Sequence, residues 1–147
     1  MRKGICYLVL KTVNIYLDID GVLITKKGKP ANGLFEFLEY VTGNYTCYWL
    51  TTHCRDGTPE RAVEYVNKIG GIDKELLEKI KPCKPWATFK TEAIDFSEPF
   101  IWLDDNLFEG ERRALNERGM LQNMEYFDLV HDPNQLVKIM AEMKRKS

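Results

Sequence analysis

Apolar residues in this chain follow two rhythms. Residues 13–19 (VNIYLDI), 46–51 (TCYWLT) and 100–103 (FIWL) are short, nearly continuous apolar runs rich in β-branched and aromatic side chains. That is the pattern of strands covered on both faces. Residues 126–130 (YFDLV) predict a further strand. Between these runs the period lengthens. Leu34, Phe35, Phe37, Leu38 and Val41 recur at helical spacing, after Asn32 as a cap and before the stop at Gly43-Asn44. Thr58 and Pro59 open a second helix that ends at Gly70-Gly71, and Asp73 opens a short third one. Residues 109–118 predict a helix stopped by Gly119. Asp132-Pro133 opens the last helix, which ends on Lys144, Arg145 and Lys146, where cations suit the helix dipole.

Two stretches are less regular. Pro82 and Pro85 break up residues 80–89, which predict at most a short edge strand, and residues 90–94 predict a brief helix. Residues 21–32 carry the turn Lys26-Lys27-Gly28-Lys29 and predict a small hairpin flap. Strands alternating with helices imply an α/β fold, a central parallel sheet with helices on both faces. The 147 residues show no repeat and no linker, so one domain is expected over 1–147.

Composition narrows the function classes. The charges nearly cancel, 21 basic against 22 acidic, so no global positive field draws the chain to nucleic acid or membrane. No apolar run approaches the roughly 20 residues that cross a bilayer. Residues 1–12 read as a strand or arm rather than a signal peptide, because Lys11 interrupts the apolar run and no small-residue cleavage site follows. Cys6, Cys47, Cys54 and Cys83 form no C-x-x-C pair and only two histidines are present, so a reduced cytoplasmic protein without structural zinc is expected.

The chemistry sits where such sheets bind ligands, at the carboxyl ends of the strands. The first strong strand ends in Asp18-Ile19-Asp20-Gly21, the second in Thr51-Thr52, and the third in Asp104-Asp105-Asn106. Lys90 opens a helix shortly before the third. Four carboxylates brought to one rim are costly unless a cation compensates them. An all-oxygen donor set suits Mg²⁺. A lysine and a threonine beside it suit the oxygens of a phosphoryl group. At average composition a D-x-D-G occurs by chance in about 4% of chains of this length. Alone it decides little; its place at a strand end, with a Thr and an acidic pair at two others, is what points to phosphoryl transfer through an aspartyl-phosphate.

These segments resemble the motifs of the haloacid dehalogenase-like (HAD) hydrolase superfamily, whose members are mostly Mg²⁺-dependent phosphatases. The resemblance runs from residue 13 to about residue 140 and implies a Rossmann-like three-layer α/β/α sandwich. YLDIDGVLI is similar to the first motif, which implies Asp18 as nucleophile and Asp20 as general acid/base. YWLTTH is similar to the second, which implies that Thr51 binds a phosphoryl oxygen; the adjacent Thr52 is the alternative. Lys90 in TFKTEAI resembles the third motif; Lys81 and Lys84 compete with it, but Lys90 lies better, at a helix start before the acidic strand. Asp104 and Asp105 in FIWLDDN resemble the fourth, and with Asp18 and Asp20 they imply the metal site. The run WLTTH, KTEAI, PFIWLDDN is also similar, more weakly, to small HAD domains of RNA-repair-associated proteins.

The intervals between motifs leave no room for a sizeable cap, so an open site is expected, suited to a bulky substrate such as a phosphorylated polymer end or a protein. Gly21, Thr52, His53 and Arg55 are the candidate substrate-binding residues. Lys26, Lys27 and Lys29 are a solvated turn unless the flap overhangs the site, where they would meet phosphate or a nucleic-acid backbone. The expected activity is that of a monomeric phosphoric monoester hydrolase acting on a small molecule, a nucleotide or a polynucleotide end, away from membranes. The alternative is a non-catalytic or phosphoryl-accepting signalling module using the same acidic Mg²⁺ pocket. Receiver domains hold similar groups in the opposite chain order, with the acidic pair first.

Overall fold

The structure is a computed structural model that describes residues 13–146. The expected arm at residues 1–12 lies outside the described residues. The apolar run around Ile15 forms β1 (Asn14–Leu17), all four of its residues buried. β1 is flanked in parallel by β2 (Thr46–Trp49) and β4 (Phe100–Asp104). β3 (Lys81–Pro82) adds to β2 and β5 (Met124–Tyr126) to β4, giving an all-parallel sheet in the order β3-β2-β1-β4-β5.

The pleat then divides the core in two. Ile15, Leu17, Cys47, Trp49 and Leu103 point to one face. There they pack against α1 (Leu34–Asn44), α2 (Glu60–Gly70), α3 (Lys74–Leu77) and α5 (Gln135–Lys146) through Phe37, Leu38, Val63, Val66, Leu77, Leu136 and Met143. Tyr16, Phe100 and Trp102 point to the other face and meet Leu115 of α4 (Glu109–Glu117) together with Ala93 and Ile94. Helices therefore cover both faces of a parallel sheet, an arrangement compatible with a Rossmann-like fold. Among the described residues no helix is long and apolar enough to cross a membrane. Phe37 is fully buried on the larger face. Phe37→Ala is expected to destabilise the domain by about 3–5 kcal/mol. A thermal melt should register this as a fall of roughly 10 °C.

Four expectations need correction. The cap of α1 is Gly33, not Asn32, whose side chain bonds Asn134, and the cap of α2 is Pro59, not Thr58, whose hydroxyl bonds Asp56. The fifth strand is Met124–Tyr126, not residues 126–130. Phe127 still donates its N–H to the Asp104 carbonyl at 2.8 Å and buries its ring, but Asp128 then turns the chain. Its carbonyl and side chain accept the N–H groups of Asp132 and His131, which satisfies a loop in place of a ladder and leaves Val130 exposed. The flap over 21–32 is also not a regular strand pair. It is a chain of turns held by single bridges, Asp20 with Ile24 and Ile24 with Pro30.

Candidate active site

Register builds the site. Leu17 pairs with Leu103, and the Asp18 N–H donates to the Leu103 carbonyl at 3.1 Å. Asp18 and Asp104, one residue further on, therefore emerge side by side at the carboxyl end of the sheet. Both are buried. Asp105 follows on the rim, and oxygens of Asp18, Asp104 and Asp105 all lie within 4.8 Å of one another. Gly21, at φ 83°, turns the chain directly over this cluster, and a Cβ there would overlap the Asp105 carboxylate.

Lys90 closes the cluster from the other side. It begins a 3₁₀ turn, Lys90–Ala93, whose start is fixed by Glu111. The buried Glu111 carboxylate accepts the backbone N–H of Lys90 and that of Phe108, both at 2.9 Å. The Lys90 ammonium thus reaches Asp104 Oδ2 at 2.6 Å and Asp18 Oδ1 at 3.4 Å. Trp102 Nε1 adds a hydrogen bond to the same Asp104 oxygen at 3.2 Å, and the Asn106 N–H holds the other at 3.1 Å.

The charges in this cavity of about 240 Å³ do not balance. Two buried carboxylates share one ammonium. Burial works to lower the pKa of Lys90, but the Asp18 and Asp104 charges more than offset it and hold the ammonium charged. Burial, then the Asp18 charge, push the Asp104 carboxyl up to about 8 against the pull of Lys90. The cluster is short of positive charge, and a proton supplies it. Three carboxylate oxygens at this spacing are a hard, all-oxygen donor set that a divalent cation such as Mg²⁺ fits, and the cation would take the proton's place. Lys26 of the flap lies 3.2 Å from Asp105 on the outer side and is largely exposed.

A pH dependence follows. Asp104 binds a proton more tightly in the folded chain than at its ordinary value of 3.8. The metal-free protein should therefore lose stability as pH rises from about 4 to about 8, where the unfolded chain holds fewer protons than the folded one. Any Mg²⁺-induced rise in melting temperature should grow across the same interval and level off above it. Melts at several pH values, with and without Mg²⁺, measure both trends.

No family model, no curated protein and no solved structure matches this chain.

The remaining candidates separate. Thr51 follows β2 and is almost wholly buried, its hydroxyl accepting the His53 N–H at 3.4 Å. Thr52, not Thr51, lines the cavity beside Asp18, Asp20 and Lys90. Lys81 lies in the edge strand β3; Lys90, not Lys81 or Lys84, is the lysine among the acidic residues. Asp20 stands apart from the triad. Its carboxylate, 49% exposed, turns toward His53 and Tyr65. Arg55 lies in a neighbouring groove of about 580 Å³ that shares Thr52 and Trp86 with the cavity. There it stacks 4.6 Å from the Trp86 ring and donates to the Trp86 carbonyl at 3.3 Å.

Glu111, Trp102 and Tyr65 carry structural tasks at the site that the sequence did not mark. Glu111 had one signal, a Glu three residues into a helix, the place of a residue that caps backwards.

Proposed function

We propose that the protein is a Mg²⁺-dependent phosphatase of phosphoric monoesters, similar to small capless HAD hydrolases, that works through a phosphorylated Asp18. The observation that carries this reading is the Lys90 ammonium set between Asp18 and Asp104 with Asp105 adjoining, at the carboxyl ends of neighbouring parallel strands. A structural ion pair needs one carboxylate; a lysine shared by two buried carboxylates, with a third carboxylate within 4.8 Å of both, favours a site for an anion-bearing ligand and a cation.

The side chains can divide the reaction as follows. A phosphoryl group entering the cavity would meet Asp18, Lys90 and Thr52, which line it. Lys90 would draw the phosphoryl oxygens toward Asp18 and oppose their repulsion. Mg²⁺, held by Asp18, Asp104 and Asp105, would supply further positive charge against the developing negative charge of transfer. An Asp18 oxygen attacks phosphorus, the bond from phosphorus to the leaving oxygen breaks, and that oxygen takes a proton from Asp20. Asp20 then removes a proton from the water that attacks the phosphorylated Asp18. The phosphorus–Asp18 bond breaks and its electron pair returns to the carboxylate. The balance is ester plus water to alcohol plus phosphate.

The test is phosphate release from an aryl phosphate, with and without Mg²⁺. Turnover that requires Mg²⁺ supports the reading. A protein that binds Mg²⁺ yet releases no phosphate from any ester in a broad panel overturns it. A long-lived phosphoryl adduct on Asp18 would point instead to a signalling module.

A further inference from the structure

Among the described residues, Asp20 is the one acidic residue of the rim whose two oxygens are both held by side chains from elsewhere in the fold. Tyr65, from the middle of α2, donates its hydroxyl to Oδ1 at 2.8 Å. His53, from the 3₁₀ turn Thr52–Cys54 after β2, places Nε2 at 3.0 Å from Oδ2. The two rings stack on each other, centroids 4.4 Å apart and planes 18° from parallel. The backbone of His53 is tied in turn to Thr51. A carboxylate 49% open to solvent would ordinarily sample several rotamers. Here two stacked rings from two separate elements fix one.

We infer that His53 and Tyr65 are positioning residues that aim Asp20 at the leaving oxygen of the substrate. The inference rests on the phosphatase reading above and deepens it. Tyr65 holds Oδ1 and His53 holds Oδ2, so the plane of the Asp20 carboxylate is set from both ends. Oδ2 faces His53, which lines the groove shared with Thr52 and Trp86. Proton transfer stays balanced: the proton passes from the Asp20 carboxyl to the leaving oxygen as the phosphorus–oxygen bond breaks, and Asp20 is left ionised. Orientation of this kind reduces the freedom lost on reaching the transition state. General acids contribute about 10²–10⁴-fold, and a loosely held one loses part of that.

Tyr65→Phe tests this most cleanly, because the ring and its stacking on His53 remain and only the hydroxyl is lost. The measurement is kcat/KM over a series of phosphate esters with leaving groups from nitrophenol to simple alcohols. Wild type and Asp20→Asn serve as the two references. A good leaving group needs no proton, so the Tyr65→Phe enzyme should stay within about 3-fold of wild type there. A poor one does need a proton, and a loss of about 10-fold or more is expected, so the dependence on leaving-group pKa steepens toward that of Asp20→Asn. His53→Asn, which shortens the side chain but keeps polar atoms, should steepen it as well. A purely structural role would lower all esters by the same factor. An unchanged slope in both variants, or a uniform loss, overturns the inference while the phosphatase reading stands. Wild-type protein that hydrolyses none of the series overturns the phosphatase reading itself, and the inference with it.

Discussion

Asp18→Asn is expected to lower phosphate release by about 10⁴-fold or more, the scale at which loss of a nucleophile acts. The same change should raise the melting temperature of the metal-free protein. Activity falls because an amide neither attacks phosphorus readily nor leaves it again as a carboxylate. Stability rises because Asp18 and Asp104 are both buried and share Lys90 alone. Neutralising Asp18 converts a cluster short of positive charge into a matched Lys90–Asp104 pair. Asp104 should then give up its proton at a lower pH, since the Asp18 charge is one of the causes that hold it up. A melt without Mg²⁺ and a phosphate assay with it would see opposite signs from one substitution. A fall in both would mean that Asp18 serves the fold and not a reaction.

Lys90→Met should do harm on both counts. The aliphatic stem still fills the space, but Asp18 and Asp104 lose their common cation. Removing one partner of a buried charge cluster costs about 3–5 kcal/mol. For a domain of this size that is a fall of roughly 10 °C in melting temperature. The loss should be larger at pH 9 than at pH 6. At the lower pH Asp104, whose pKa is pushed up to about 8, still carries a proton and the two carboxylates repel less. Mg²⁺ should recover part of the stability but little of the rate, because the metal replaces the charge and not the contact with phosphoryl oxygens proposed for the lysine. The expected rate loss is about 10²–10³-fold. Melts at two pH values, with and without Mg²⁺, separate the electrostatic loss from a packing loss, which neither pH nor metal would change.

What the sequence made legible was the set of strand ends. A parallel strand buried on both faces is mostly apolar, and polar or charged residues mark where it ends. Asp18, Thr51 and Asp104 marked those ends in three runs, and the topology then set two of the three side by side. The fifth strand was misplaced because Tyr126 to Val130 is as apolar as a strand. The local hydrogen bonds of Asp128, which end the ladder, leave no trace in hydrophobicity. Tyr65 was invisible for another reason. It sits on a helix whose periodicity accounts for Ala62, Val63 and Val66 as core. Nothing in that spacing says that the hydroxyl of a half-exposed neighbour crosses to Asp20. Trp102 packs in the core of the smaller face, and its indole N–H also holds Asp104 two residues on. Contacts between elements far apart in sequence decide such roles.

The sheet is narrow at its borders. Among the described residues it ends on one side in β3, two residues long, a lysine followed by a proline, both exposed. Proline has no N–H to offer a further strand, and the lysine charge repels a second copy. A doubly covered parallel sheet assembles slowly and shows its strands to solvent on the way. With this border, a partly folded chain at high concentration has little to template on along that flank. Off-pathway fibre growth should then start, if anywhere, from the opposite flank at β5.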